Sequence, residues 1–218
     1  MPHSGHQALW DMTRSREFQV VVLGAGGVGK TCLTEQFFNN GGIKSYDPTI
    51  GSHQKQLAVD GRQVILEIDT LGTDQLTSTD VYIKNARGFL LVFSITSRSS
   101  LGELNGIREA ILGIKRRDQV PMVIIGNKAD LEDQRDVPRT KAWAVSQDWD
   151  AHYHEASAVT GTNVDEALFD ICRQMLSEDD AIDAMDEEML ETKYKYDETS
   201  TKRRRRKRNM VNQKCVIL

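Results

Sequence analysis

Short apolar runs with strand character alternate along the chain with stretches of helical period. Phe18–Leu23, Gln56–Val59, Val64–Ile68, Phe89–Ser94, Met122–Asn127 and Ala151–Glu155 read as strands. Asp60-Gly61, between the second and third, is a two-residue hairpin turn signal. Thr31 to Asn40 reads as a helix, and Leu101, Leu104, Ile107, Ile111 and Ile114 recur at helical spacing up to Lys115. Pro138 can open the next helix at its first turn. Asn163 with Glu166 three residues on resembles a capping box, before a helix with Leu168, Ile171, Cys172 and Met175 on one face. Alternating β and α elements predict an α/β fold with a mainly parallel sheet and one antiparallel edge strand. Ligands in such folds bind at the carboxyl ends of the strands. The pattern divides the chain into an N-terminal extension (1–16), a globular domain (17–176) and a tail (177–218).

Composition changes this picture mainly in the tail. A content of 39% hydrophobic residues in 218 supports a buried core, and the net charge of −4 names no partner by itself. The charge is concentrated, however: Ser177–Glu191 is acidic and Lys202–Arg208 entirely basic. Cys32, Cys172 and Cys215 are odd in number and far apart, with neither a disulfide framework nor metal-ligand spacing, which suits a reducing compartment. No apolar run approaches the roughly 18 residues of a membrane-spanning helix. Met1–Arg16 lacks the apolar centre of a secretory signal, and Pro2 in place of glycine excludes myristoylation.

The chemistry lies just after the strands. Gly24-Ala25-Gly26-Gly27-Val28-Gly29-Lys30-Thr31 fits G-x-x-x-x-G-K-[ST], the phosphate-binding loop, between the first strand and first helix. The N–H groups of Gly26, Gly27, Val28 and Gly29 can close around a pyrophosphate at a helix N-terminus. Lys30 reaches the terminal phosphates and Thr31 offers a hydroxyl to Mg²⁺. In Asp69-Thr70-Leu71-Gly72, after the third strand, the carboxylate can hold Mg²⁺ through a water and the Gly72 N–H can donate to a γ-phosphate. In Asn127-Lys128-Ala129-Asp130, after the fifth, the Asp130 carboxylate matches the N1–H and N2–H₂ donors of guanine and rejects adenine. The Lys128 stem can cover the base while Asn127 ties its loop to the phosphate loop. Ser157-Ala158 places a backbone N–H where guanine O6 would be. In Tyr46-Asp47-Pro48-Thr49-Ile50, Thr49 can give its hydroxyl to Mg²⁺ and its N–H to the γ-phosphate, a contact that only a triphosphate makes.

These five motifs, in this order from Phe18 to Leu176, resemble the Ras family of small GTPases. Thr73 after Asp69–Gly72, with Tyr82-Ile83-Lys84-Asn85 following, is most similar to the Rap branch and related fungal bud-site GTPases. The resemblance implies a P-loop NTPase G domain with a six-stranded sheet and five helices, GDP/GTP and Mg²⁺ binding, and slow hydrolysis. It also implies exchange factors, GTPase-activating proteins and effectors. By the same resemblance Lys30, Thr49, Gly72 and Thr73 are the catalytic set, and Thr31, Thr49 and Asp69 hold the metal.

The chain also departs from the family. Ras proteins place a water-orienting Gln where Thr73 stands, so unaided hydrolysis is expected to be very slow, with an activating protein supplying the missing amide as in the Rap branch. Leu71 replaces an alanine and either crowds the active conformation or turns into the core. Gly42 stands where the family has a phenylalanine packed on the base, which predicts faster nucleotide release. Gly51-Ser52-His53-Gln54 lacks the family's acidic effector-binding pair, and single-residue deletions fall near Ile68 and near Thr79. The usual effectors are therefore in doubt.

The chain closes on Cys215-Val216-Ile217-Leu218, a C-a-a-X pattern ending in Leu, which points to geranylgeranylation of Cys215. One lipid anchors weakly, and Lys202–Arg208 supplies the second signal at about 1 kcal/mol per basic residue near an anionic leaflet. The rival reading of that run is a nuclear-localisation or nucleic-acid patch; its place beside the lipidation signal favours the membrane, and no nucleic-acid partner is expected. The expected location is the cytoplasmic face of a membrane, the plasma membrane first. Glu178–Glu191 reads as solvated linker, with partial helical spacing at Ala181, Ile182, Met185, Met189 and Leu190. The leading expectation is a membrane-anchored GDP/GTP switch. The alternative is a GTP-bound scaffold with negligible hydrolysis, regulated by exchange or abundance.

Overall fold

The computed structural model describes residues 16–39, 45–46, 53–71 and 76–214. Among these the elements run β1 (Arg16–Leu23), α1 (Lys30–Asn39), β2 (Ser45–Tyr46), β3 (His53–Val59), β4 (Arg62–Thr70), α2 (Leu76–Asn85), β5 (Gly88–Ser94), α3 (Arg98–Lys115), β6 (Met122–Asn127), α4 (Arg139–Trp149), β7 (His152–Glu155) and α5 (Val164–Lys214). All the apolar runs become strands of one sheet, ordered β2-β3-β4-β1-β5-β6-β7. The β3–β4 and β2–β3 pairings are antiparallel, and β4–β1, β1–β5, β5–β6 and β6–β7 are parallel. The six strands expected are joined at the edge by the two-residue β2. Every residue of β5 and β6 is buried, as central parallel strands covered on both faces require.

Local chemistry explains the element ends. Asp60 (φ 50°) and Gly61 (φ 83°) both take positive φ, the two-residue turn whose twist suits a hairpin. In α3, Leu101, Leu104, Ile107 and Ile111 form the buried stripe. Pro138 sits at the N-cap of α4 in extended conformation, one position before the first turn. Asn163 is not a capping-box residue: its φ is 54° and its side-chain amide donates to the Glu155 carbonyl at 2.7 Å, so it ties α5 to β7. The hydrophobic pattern does not mark α2, because Val81 and Tyr82 stay exposed beside buried Ile83. Helix α1 has no basic residue in its last turn, and Lys55 of β3 serves instead. Its ammonium donates to the Phe37 carbonyl at 2.7 Å and lies 4.0 Å from that ring's centre. Burial lowers the Lys55 pKa, opposed by Asp165.

Two compact units divide the chain, residues 1–175 and 176–218. The second is helical through Lys214, so the acidic stretch read as linker is helix. The segment Val164–Lys214 contains neither glycine nor proline, and 27 of its 51 residues are the good helix formers Ala, Leu, Met, Glu, Lys and Arg. No described helix is long and apolar enough to cross a membrane.

Candidate nucleotide-binding site

The loop after β1 is shaped by close approach. A Cβ on Gly24 would lie 2.0 Å from the Val92 carbonyl oxygen, and one on Gly29 (φ 93°) 2.5 Å from the side-chain nitrogen of Asn127. Only glycine lets the loop lie against β5 and β6 in this way. Gly26 and Gly27 are exposed while Val28 is buried as the loop's anchor. Lys30, on the first turn of α1, is buried, and its ammonium donates to the Gly24 and Ala25 carbonyls, each at 2.8 Å. The cation is thereby held within the curve of the loop, where a polyphosphate would meet it together with the helix N-terminus. Thr31 follows and is exposed.

At the ends of β6 and β7, Asn127 joins three loops. Its side-chain nitrogen donates to the Val28 carbonyl at 2.8 Å, and its side-chain oxygen accepts the Ala158 N–H at 3.2 Å. Asn127 is 1% exposed, so these bonds are made away from water. Lys128 adopts the left-handed conformation (φ 66°), which is unfavourable for a non-glycine residue. That turn carries its stem across the gap to the phosphate loop, where its ammonium donates to the Gly27 carbonyl at 2.8 Å. The Ser157 hydroxyl donates to Asp130 at 2.5 Å and accepts the N–H groups of Val159 and Thr160 at 3.2 and 3.1 Å. It thus orients the carboxylate that would read the base. The Ala158 N–H, expected to face guanine O6, is engaged by Asn127, so a bound base would have to share that donor.

A family model described as Ras family matches residues 19–177. The chain belongs to the Ras family. It is a Ras-like small GTPase with the G-domain form of the P-loop NTPase fold, and members of this family bind guanine nucleotide and Mg²⁺.

Sequence reasoning missed the support beneath the base loops of this Ras-family domain. Glu155 of β7, immediately before Ala156-Ser157, receives two hydrogen bonds from Arg135, at 2.8 and 2.7 Å, and one each from Arg139 and Tyr153. Arg135 also binds Glu132 and the Val137 carbonyl. Burial raises the Glu155 pKa, but Arg135, Tyr153 and Arg139 outweigh it and leave the net value lowered. Burial, together with the Glu155 carboxylate, pushes the Tyr153 phenol well above its ordinary range. The available signal was placement: Arg135 lies five residues after Asp130, and Glu155 two before Ser157.

The metal side is arranged differently. Thr49, Gly72, Thr73, Gly42 and Cys215 lie outside the described residues. Leu71 is buried with Val21, Leu23 and Ile83, the core alternative of the two expected for it. Asp69 is also buried and accepts a 2.7 Å hydrogen bond from the Gln19 side chain. Burial raises its pKa, with the Gln19 bond opposing and Glu67 adding. Asp69 pairs with Val21 and Thr70 with Val22. Side chains alternate along a strand, so Asp69 and Leu71 take one face and Thr70 the other. The Thr70 hydroxyl lies 3.1 Å from that of Thr34 on α1. The face turned to the phosphate-loop helix is therefore Thr70's, and Asp69 points away from it. Of the three expected metal ligands, Thr31 sits at the loop, Thr49 is undescribed, and Asp69 does not fit the role.

Proposed function

We propose that the protein is a membrane-anchored GDP/GTP switch with slow intrinsic hydrolysis, dependent on a GTPase-activating protein. The observation that carries this reading is Asn127, which links the phosphate loop to both base loops and makes one continuous cradle for a guanine nucleotide. Catalysis in this class is positioning and electrostatics. Lys30 and the loop N–H groups would stabilise charge on the phosphates, Lys128 would cover the base, and Asp130 would select guanine. Gly72 and Thr49 are the expected sensors of the γ-phosphate. Thr73 in place of the family's glutamine supports slow unaided turnover and the Rap-branch placement. Signal transduction follows if exchange factors and effectors read the two states. Geranylgeranylated Cys215 together with Lys202–Arg208, which lies on α5, would hold the chain at the cytoplasmic face of an anionic membrane, most simply the plasma membrane.

Single-turnover GTP hydrolysis by the purified protein, with and without a Rap-type activating protein, tests the reading. Slow turnover accelerated by that partner supports a cycling switch. A second reading, the GTP-bound scaffold with negligible hydrolysis, is favoured by the position of Asp69. It predicts tight GTP binding with no turnover in either condition.

A further inference from the structure

The register of β4 turns the D-x-x-G carboxylate away from the phosphate loop. Successive side chains of a strand take opposite faces, and a one-residue change of register moves every later side chain to the other face. The consequence is visible in three pairs. Val21 faces Asp69 in the β1–β4 ladder, the Gln19 amide on that same face of β1 holds the Asp69 carboxylate at 2.7 Å, and Thr70 faces Thr34 of α1. Leu71, two residues on from Asp69, is packed with Val21, Leu23 and Ile83, so the pleat on that face has no room to turn Asp69 back without unpacking Leu71 from the core. Asp69 is 7% exposed, and its Oδ2 accepts the hydrogen bond from the Gln19 amide. A hydroxyl, Thr70, occupies the face where the metal-holding carboxylate was expected, and a neutral hydroxyl attracts a divalent cation far less than a carboxylate does.

We infer that this chain holds guanine nucleotide with little help from Mg²⁺, so that GDP retention is set by the phosphate loop and the base loops alone. The inference rests on the guanine-nucleotide reading above. It is tested by the release of fluorescent GDP from the full-length protein, in excess Mg²⁺ and in excess EDTA. The expected ratio of release rates is below about five-fold, and a ratio of five-fold or more overturns the inference. Inserting one isoleucine between Ile68 and Asp69 should return the carboxylate to the α1 face and bring out an EDTA response of at least about ten-fold. An insertion variant that retains GDP and remains as insensitive as the parent also counts against it. If the insertion disrupts folding, the parent protein's ratio decides alone. Failure of the parent to retain GDP in either buffer would instead overturn the guanine reading itself, and the inference with it.

Discussion

The two ends of the cradle are built on different principles. At the base end, Asn127, Lys128, Asp130 and Ser157 are joined by hydrogen bonds that cross from one loop to the next, with Glu155 and Arg135 bracing them from below. At the metal end, the position of one carboxylate depends on strand pleating, and the register of β4 on β1 leaves it facing Gln19. A site knit by cross-loop bonds survives changes elsewhere in the chain. A site that hangs on strand parity does not, because a single deletion reverses it while leaving the motif intact.

The largest effect is expected at Asn127. Asn127→Ala removes the buried amide that holds three loops, leaving the Val28 carbonyl and Ala158 N–H without it. GDP affinity should fall at least about 100-fold, near 3 kcal/mol, by titration calorimetry. A loss under ten-fold would show that the base end is not knit as described. Glu155→Gln should cost about 2 kcal/mol of stability in urea unfolding, because Arg135 would lose the more buried of its two carboxylate partners and keep only the more exposed Glu132. The pH dependence has a definite sign. The Glu155 pKa is lowered in the folded protein, so its contribution is present above the ordinary glutamate range and is lost as pH falls through the folded value. The parent should therefore lose more stability on acidification than the Gln variant, and parallel melting curves against pH would contradict this.

Thr73→Gln sharpens the contrast from the catalytic side. Unaided single-turnover hydrolysis should rise about ten-fold if water positioning is the missing element. An unchanged rate would assign slow turnover to another cause, with the orientation of Asp69 first in line. The smallest effect is expected at Asp69 itself. Asp69→Asn removes a buried charge and keeps an acceptor for Gln19, so the variant should be more stable by about 1 kcal/mol at neutral pH. Because burial raises the Asp69 pKa, the penalty it imposes is relieved as pH falls, and the gain from Asn should shrink toward acid. A loss of stability on substitution would mean that the carboxylate makes favourable contacts this reading does not include.

Much of this was legible in the sequence. The apolar runs marked the strands because central parallel strands are buried on both faces, and β6 matches its predicted bounds at both ends. The glycines and Lys30 announced the loop, since few other residues tolerate its approach to Val92 and Asn127. Asn127 was expected to tie its loop to the phosphate loop and does. The long α5 was less legible, because a highly charged segment reads as solvated linker and helix propensity is a weak prior. The Arg135–Glu155 brace was not legible, since its partners are twenty residues apart and meet only when β7 joins the sheet.

The fold, the phosphate loop and the residues that would read guanine follow from the amino-acid order alone, because each depends on local residue type and spacing. The direction in which Asp69 points is set by long-range packing. Alternation along a strand says that Asp69 and Thr70 take opposite faces, but not which of them is turned to α1. Pairing with β1 and the packing of Leu71 settle that, because a buried leucine in the core outweighs the pull of a carboxylate toward a site it cannot reach without unpacking it.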